Sequence, residues 1–157
     1  MKRILRVGLL VSLMILSVMA VTGCTRRVEA STLTLPAAGA GTVVNVTARS
    51  FVINSDVSDN IPAGDITFKV SNTDVVTHET LIIKAQSPTG FDLPYDASIS
   101  RIFENKIDKP GEVPDIQPGT TGQVTLNLEP GTYVLVCNLT AHFQAGMHKL
   151  IHVVAHK

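Results

Sequence analysis

The sequence predicts an all-β fold, a two-sheet β-sandwich, on three observations. From Val43 onward apolar and polar residues alternate with a period of two. Turn residues punctuate the alternating stretches at regular intervals, and no long helical period appears. The bulk numbers agree. A chain of 157 residues has material for one packed core. A 45% hydrophobic share against 17% charged residues excludes intrinsic disorder. Thirteen Lys plus Arg are matched by thirteen Asp plus Glu, so there is no basic excess to neutralise a nucleic acid. Two cysteines cannot build a disulfide scaffold.

Taken in order, residues 1–23 read as an address. Lys2, Arg3 and Arg6 precede the apolar run Val7 to Val21. At 15 residues that run is shorter than the ~20 a spanning helix needs, and it fits the apolar core of a secretory signal. It ends in Val21-Thr22-Gly23-Cys24, which resembles a bacterial lipoprotein signal with Cys24 as the lipidated new N-terminus. Cleavage there removes three positive charges and no negative ones. Ten Lys plus Arg then remain against thirteen Asp plus Glu, a net charge of −3. Residues 24–42 hold small residues, Gly and Pro without a sustained period, and read as a lipid-anchored flexible linker. Residues 43–157 form the domain.

Within the domain, Val44, Val46 and Ala48 alternate with Asn45, Thr47 and Arg49. Ile66, Phe68 and Val70 alternate with Thr67, Lys69 and Ser71, and Val124, Leu126 and Leu128 with Gln123, Thr125 and Asn127. Successive strand side chains point to opposite faces, so each stretch is a half-buried strand. Phe51–Ile53, Thr80–Lys84, Thr132–Cys137 and Lys149–Ala155 are further strands. Pro62-Ala63-Gly64, Pro118-Gly119 and Pro130-Gly131 are turns. Residues 85–117, rich in Pro, Asp, Ser and Gly, are expected to be a long irregular segment covering one flank, with a short helix possible at Ser98–Lys106.

The chemistry concentrates near the C-terminus. Cys137, His142 and Met147 fall within eleven residues, at a strand end and the loop after it. Parity places Tyr133, Leu135 and Cys137 on one face, and Met147, Ile151, Val153 and Ala155 together. Thiolate, imidazole and thioether form a soft-leaning donor set that suits copper. A trigonal site needs a second imidazole, and His78 is the sole histidine upstream of the loop. It comes after the Ile66–Asn72 strand and a short polar turn.

The stretch GTYVLVCNLTAHFQAGM resembles the ligand loop of the cupredoxins, the small blue copper proteins. Four residues separate Cys137 from His142 and four separate His142 from Met147. That spacing is similar to rusticyanin and sulfocyanin-like members; plastocyanins have fewer residues in the first interval and azurins fewer in the second. FKVSNTDVVTHE resembles the family's strand-Asn-turn-His element. The resemblance implies a Greek-key sandwich with one type 1 copper at one end, held by His78, Cys137, His142 and Met147. It implies that Asn72 ties the two ligand-bearing loops together. Family members of this spacing usually carry Gly just before the loop histidine, often with Pro ahead; Ala141 and Thr140 stand there. Glu79 adds a carboxylate next to His78.

The resemblance further implies an exported one-electron carrier rather than an enzyme, since four protein ligands leave no open position for substrate. His142 is its solvent-edge ligand, and Leu139, Phe143, Ala145 and Gly146 form a small apolar patch for weak, fast encounters with redox protein partners. The protein is expected to be a monomer attached to the membrane by its N-terminal lipid, facing the periplasm or the cell exterior. Two alternatives stay open at this point: a copper-delivery or storage protein, and a small copper enzyme with an open coordination position. A Cys24–Cys137 disulfide would consume both the lipidation site and the thiolate. His148, His152 and His156 lie four apart on a strand, ~13 Å between neighbours, too far to share one ion, and are expected to face solvent. Asn45-Val-Thr47 and Asn138-Leu-Thr140 match a glycosylation pattern by chance.

Overall fold

The computed structural model describes residues 41–57 and 60–155. The signal segment, Cys24, the linker up to residue 40 and His156 lie outside the described residues. In chain order the strands are β1 (Thr42–Arg49), β2 (Val52–Ser55), β3 (Asn60–Pro62), β4 (Gly64–Asn72), β5 (His78–Lys84), β6 (Tyr95–Asp96), β7 (Arg101–Ile102), β8 (Asp108–Ile116), β9 (Thr121–Leu128), β10 (Gly131–Val136) and β11 (His148–Val154). A single 3-10 turn, Glu104–Lys106, precedes β8. Among the described residues no helix is long and apolar enough to cross a membrane.

One sheet runs β2-β1-β4-β9 and the other β3-β11-β10-β5-β8. β1 lies parallel to β4 and β3 parallel to β11; the other neighbours are antiparallel. The chain passes repeatedly from one sheet to the other, which is the expected Greek-key sandwich. Parity places the core as the alternation predicts. Val44, Val46 and Ala48 of β1 and Ile66, Phe68 and Val70 of β4 are buried, while Thr67 and Lys69 are not. The register sets Val44 against Phe68 and Val46 against Val70. Ile82, Tyr133, Leu135, Ile151 and Val153 face them from the second sheet.

The central strands β5 and β10 are buried on both faces. Leu81, Ile83, Val134 and Val136 form a second cluster with Ile102, on which Leu93, Tyr95, Ile107, Phe143 and Leu150 pack. Residues 85–107 are therefore the outer cover of this sheet, as expected of the flank segment. Burying one such aliphatic side chain contributes ~1.5–3 kcal/mol, so the cover is held by apolar contact despite having little regular structure of its own.

Two parts of residues 85–117 differ from the sequence expectation. Helix over Ser98–Lys106 is limited to the single 3-10 turn, because Arg101 and Ile102 are drawn into a short hairpin with β6. Residues 108–116 form a nine-residue strand, β8, despite Pro110, Gly111 and Pro114. β8 is the last strand of its sheet, where a missing N–H is tolerated. At Gly111 a Cβ would sit 2.6 Å from Leu126 Cδ2, so a larger residue there would displace the end of that side chain.

Candidate metal centre

His78 opens β5, and the loop before it is tightly held. Asn72 is buried, and its Nδ2 donates to Val76 O and to Ile116 O, both at 2.7 Å. Its Oδ1 accepts from Asp74 N at 2.9 Å. These bonds brace the His78 loop against β8 rather than against residues 137–147, the connection implied by the family resemblance. β8 also carries an irregularity here: His78 pairs with Ile116 but Thr80 with Val113, so one extra β8 residue is accommodated beside the site. Asp115, at φ 41°, lies in that interval. Such bulges re-aim a neighbouring side chain.

Cys137 succeeds β10 and continues its inward parity, fully buried in the main core with Met147. The loop after it closes on itself. Cys137 N donates to Met147 O at 3.1 Å, His142 N to Leu139 O at 2.9 Å, and Met147 N to His142 O at 3.0 Å. The chain thus leaves the core at Cys137, brings His142 back over it, and returns Met147 to the interior. Ala141 adopts φ 67°, in the left-handed region, and donates from its N to Ser100 O at 2.9 Å. A glycine, the residue that the family resemblance leads one to expect before the loop histidine, would take this positive φ without strain.

The three donors converge. Cys137 Sγ lies 3.2 Å from His142 Nδ1 and 3.9 Å from His78 Nδ1. All three ligand atoms lie within 4.8 Å of one another, and no carboxylate joins them among the described residues. The imidazole centroids are 5.2 Å apart. Two nitrogens, one sulfur and an adjacent buried thioether residue are a donor set suited to copper rather than to oxygen-loving cations. Electrostatics fit the same group. Burial, and next the neighbouring His78, push the His142 pKa down, leaving its lone pair free to coordinate near neutral pH. Burial pushes the Cys137 thiol up, while the backbone N–H groups of Glu79 and Leu139 favour the thiolate. A bound cation tips that balance to thiolate.

Several neighbours were not legible as site residues. Asp74 Oδ2 accepts from Ser50 N at 2.6 Å and lies 3.2 Å from His78 Nε2. The Ser50 and Val75 N–H groups, and next the His78 ring, hold its carboxyl down at about 2. Phe51 stands 5.1 Å from the His142 ring in an edge contact. Ser50 and Phe51 are the two-residue loop of the β1–β2 hairpin, with φ 49° and 62°. Positive φ at both positions matches the twist of such hairpins but is rare for Phe. Its signal was hidden because Phe51 reads as the start of a strand. Asn138 is buried beside Cys137; its Oδ1 accepts from Ile102 N at 2.6 Å and its O accepts from Arg101 Nε at 2.6 Å. It clamps the outer cover to the ligand loop, a task that a lone Asn-Leu-Thr does not announce.

The expected patch residues divide. Ala145 and Gly146 are exposed. Leu139 packs partly buried on the main core, and Phe143 joins the second cluster, near Tyr95 and His148. Glu79 pairs with Arg101 at 3.4 Å and is not among the converging donors. His148 is half-buried, 4.5 Å from the Phe91 ring, rather than solvent-facing, because the outer cover reaches it. His152 lies 3.2 Å from Thr132 Oγ1.

Comparison with known proteins places this geometry. A family model described as the sulfocyanin (SoxE) domain matches residues 33–156. No curated protein matches the chain. Among solved structures, reduced auracyanin from the photosynthetic bacterium Roseiflexus castenholzii is 20% identical with TM-score 0.57, covering 74% of this chain and 99% of that one. Auracyanin B is 18% identical with TM-score 0.53, covering 72% and 88%. Auracyanin A, a "blue" copper protein from Chloroflexus aurantiacus, is 15% identical with TM-score 0.52, covering 74% and 99%. These structures share the fold. With the matched domain spanning most of its length, the chain belongs to the sulfocyanin (SoxE) family of cupredoxins, and its cofactor is one type 1 copper.

Proposed function

We propose that the protein is an extracytoplasmic one-electron carrier, tethered by a lipid on Cys24, whose copper is held by His78, Cys137, His142 and Met147. The observation that supports this most strongly is the convergence of Cys137 Sγ with the Nδ1 atoms of both histidines. Copper bound there supplies a one-electron couple between Cu(I) and Cu(II). The protein's part is to keep the donors still. His78 is fixed at a strand start and Cys137 at a strand end. Backbone hydrogen bonds fix His142 and Met147 within the closed loop. A donor set held this way reorganises little when charge changes.

His142 is the half-exposed member and the natural port to solvent. Phe51, Ala145 and Gly146 offer apolar surface near it, suited to brief contacts with redox protein partners. The apolar run ending in Val21-Thr22-Gly23-Cys24 supports export and lipid attachment. The protein acts as a monomer.

The test is the optical and EPR spectrum of copper-loaded, oxidised protein. An intense visible thiolate-to-Cu(II) band, lost in Cys137→Ser, is expected. A protein that retains copper yet stays colourless after mild oxidation is instead a carrier of Cu(I) itself. Turnover of a substrate that survives Met147→Ala would make it an enzyme.

A further inference from the structure

The geometry points to Asp74 as a positioning residue that holds His78 through its far nitrogen and lowers the reduction potential of the site. The inference rests on the copper reading and adds to it a residue outside the ligand set.

His78 presents Nδ1 to Cys137 Sγ and is fully buried. Its other nitrogen, Nε2, lies 3.2 Å from Asp74 Oδ2. With Nδ1 committed to a metal, Nε2 must carry the proton and donate it to that carboxylate. Asp74 is itself fixed. Its Oδ2 accepts from Ser50 N at 2.6 Å, its Oδ1 from Val75 N at 2.7 Å, and its own N donates to Asn72 Oδ1 at 2.9 Å. The carboxylate is therefore a rigid, largely covered anion one imidazole away from the metal position.

This arrangement has two effects. A carboxylate accepting from the far N–H fixes the tautomer and ring orientation and makes the imidazole a stronger donor. Its negative charge also favours the more highly charged metal ion. Both effects favour Cu(II) over Cu(I) and lower the potential. The same carboxylate pins the Ser50–Phe51 turn, whose Phe51 ring edges His142. One side chain thus steadies the surroundings of both histidines.

The test compares wild type with Asp74→Asn, which keeps an oxygen acceptor and removes the charge. Second partners of metal-bound histidines change metal affinity by ~10–100-fold. If the lower figure falls on Cu(II) and Cu(I) affinity is left unchanged, the tenfold change in their ratio is a rise of about 59 mV for one electron. Asp74→Asn is expected to stay blue with a potential raised by that amount. Asp56→Asn, which removes an equal charge farther down the same hairpin, is expected to shift it far less, since solvent screens charges beyond ~8–10 Å. A blue Asp74→Asn protein whose potential is unchanged or lower overturns the inference and leaves the copper reading intact. A wild-type protein that is not blue overturns both. Should Asp74→Asn fail to fold, proton NMR of the wild-type Cu(I) form decides. A His78 Nε2–H resonance shifted strongly downfield, the mark of a charge-assisted hydrogen bond to a carboxylate, supports the inference, and one at an ordinary imidazole position overturns it.

Discussion

Replacing Asn138 by Ala perturbs the contact between ligand loop and outer cover without touching a metal donor. Asn138 and Ile102 are both buried, at 1% and 3% exposure. The substitution strands Ile102 N, which donates to Asn138 Oδ1 at 2.6 Å, and weakens the hold on Ile102 O, which accepts from Nδ2 at 3.2 Å. A buried donor left without a partner costs about 1–3 kcal/mol. The Ile102 carbonyl, at the longer distance, adds less. The expected loss is therefore about 2 kcal/mol. For a domain of this size each kcal/mol moves the melting temperature by roughly 4 °C, so a drop of ~8 °C is expected. Urea unfolding of the metal-free protein gives the free energy directly. Asn127→Ala, which removes an exposed hydrogen bond to Asp65, serves as control and is expected to cost less than ~0.5 kcal/mol. Copper-loaded Asn138→Ala is expected to keep its visible band, because the removed side chain bonds to Ile102 and Glu104 rather than to sulfur. A loss no larger than the control's would refute the assignment of Asn138 as the clamp.

Other consequences are open to measurement. Ala141→Gly relieves a left-handed alanine at φ 67° and is expected to raise stability by ~0.5–1 kcal/mol in the same urea assay; destabilisation would contradict the reading of that turn. Phe51→Ala is expected to leave the visible band in place while slowing electron self-exchange measured by NMR line broadening; an unchanged rate removes Phe51 from the port. The Glu104 carboxyl is held below its usual range by its hydrogen bond from Lys109, and Asp56 by its bond from Asn45. The unfolded chain takes up these protons first as pH falls. This contribution is therefore present above about pH 4.5, the unperturbed Glu value, and lost below it. Urea titrations of the metal-free protein from pH 6 to 3 should show that fall, and Glu104→Gln should make it shallower.

How much could be read beforehand depended on what each residue faces. Val44–Ala48 and Ile66–Val70 were legible because their sheet has one wet face, which writes burial into the sequence as alternation. β5 carries Leu81-Ile82-Ile83, buried on both faces, and was found as an apolar run between breaks. Cys137, His142 and Met147 were legible because three soft donors at close spacing seldom occur together, and His78 had no upstream competitor. β8 was illegible because its Pro110, Gly111 and Pro114 argue against a strand, while its place at the end of the sheet removes the objection. Asp74 stands four residues before His78, inside a turn whose sequence announces only polarity, whereas Phe51 belongs to a hairpin loop that meets the site only through long-range pairing, β1 with β4 and β1 with β2. Local sequence carries no record of such meetings. Asn72 was legible as a brace but not in its direction, since its partner Ile116 lies in the strand that the prolines concealed.

Whether these side chains gather one copper is open to direct observation. Anomalous diffraction at the copper edge, from crystals of protein loaded with one equivalent, would locate the ion. A single peak is expected between His78 Nδ1, Cys137 Sγ and His142 Nδ1, on the side of Met147. A principal peak at His148 or His152, with the three converging donors bare, would contradict the assignment.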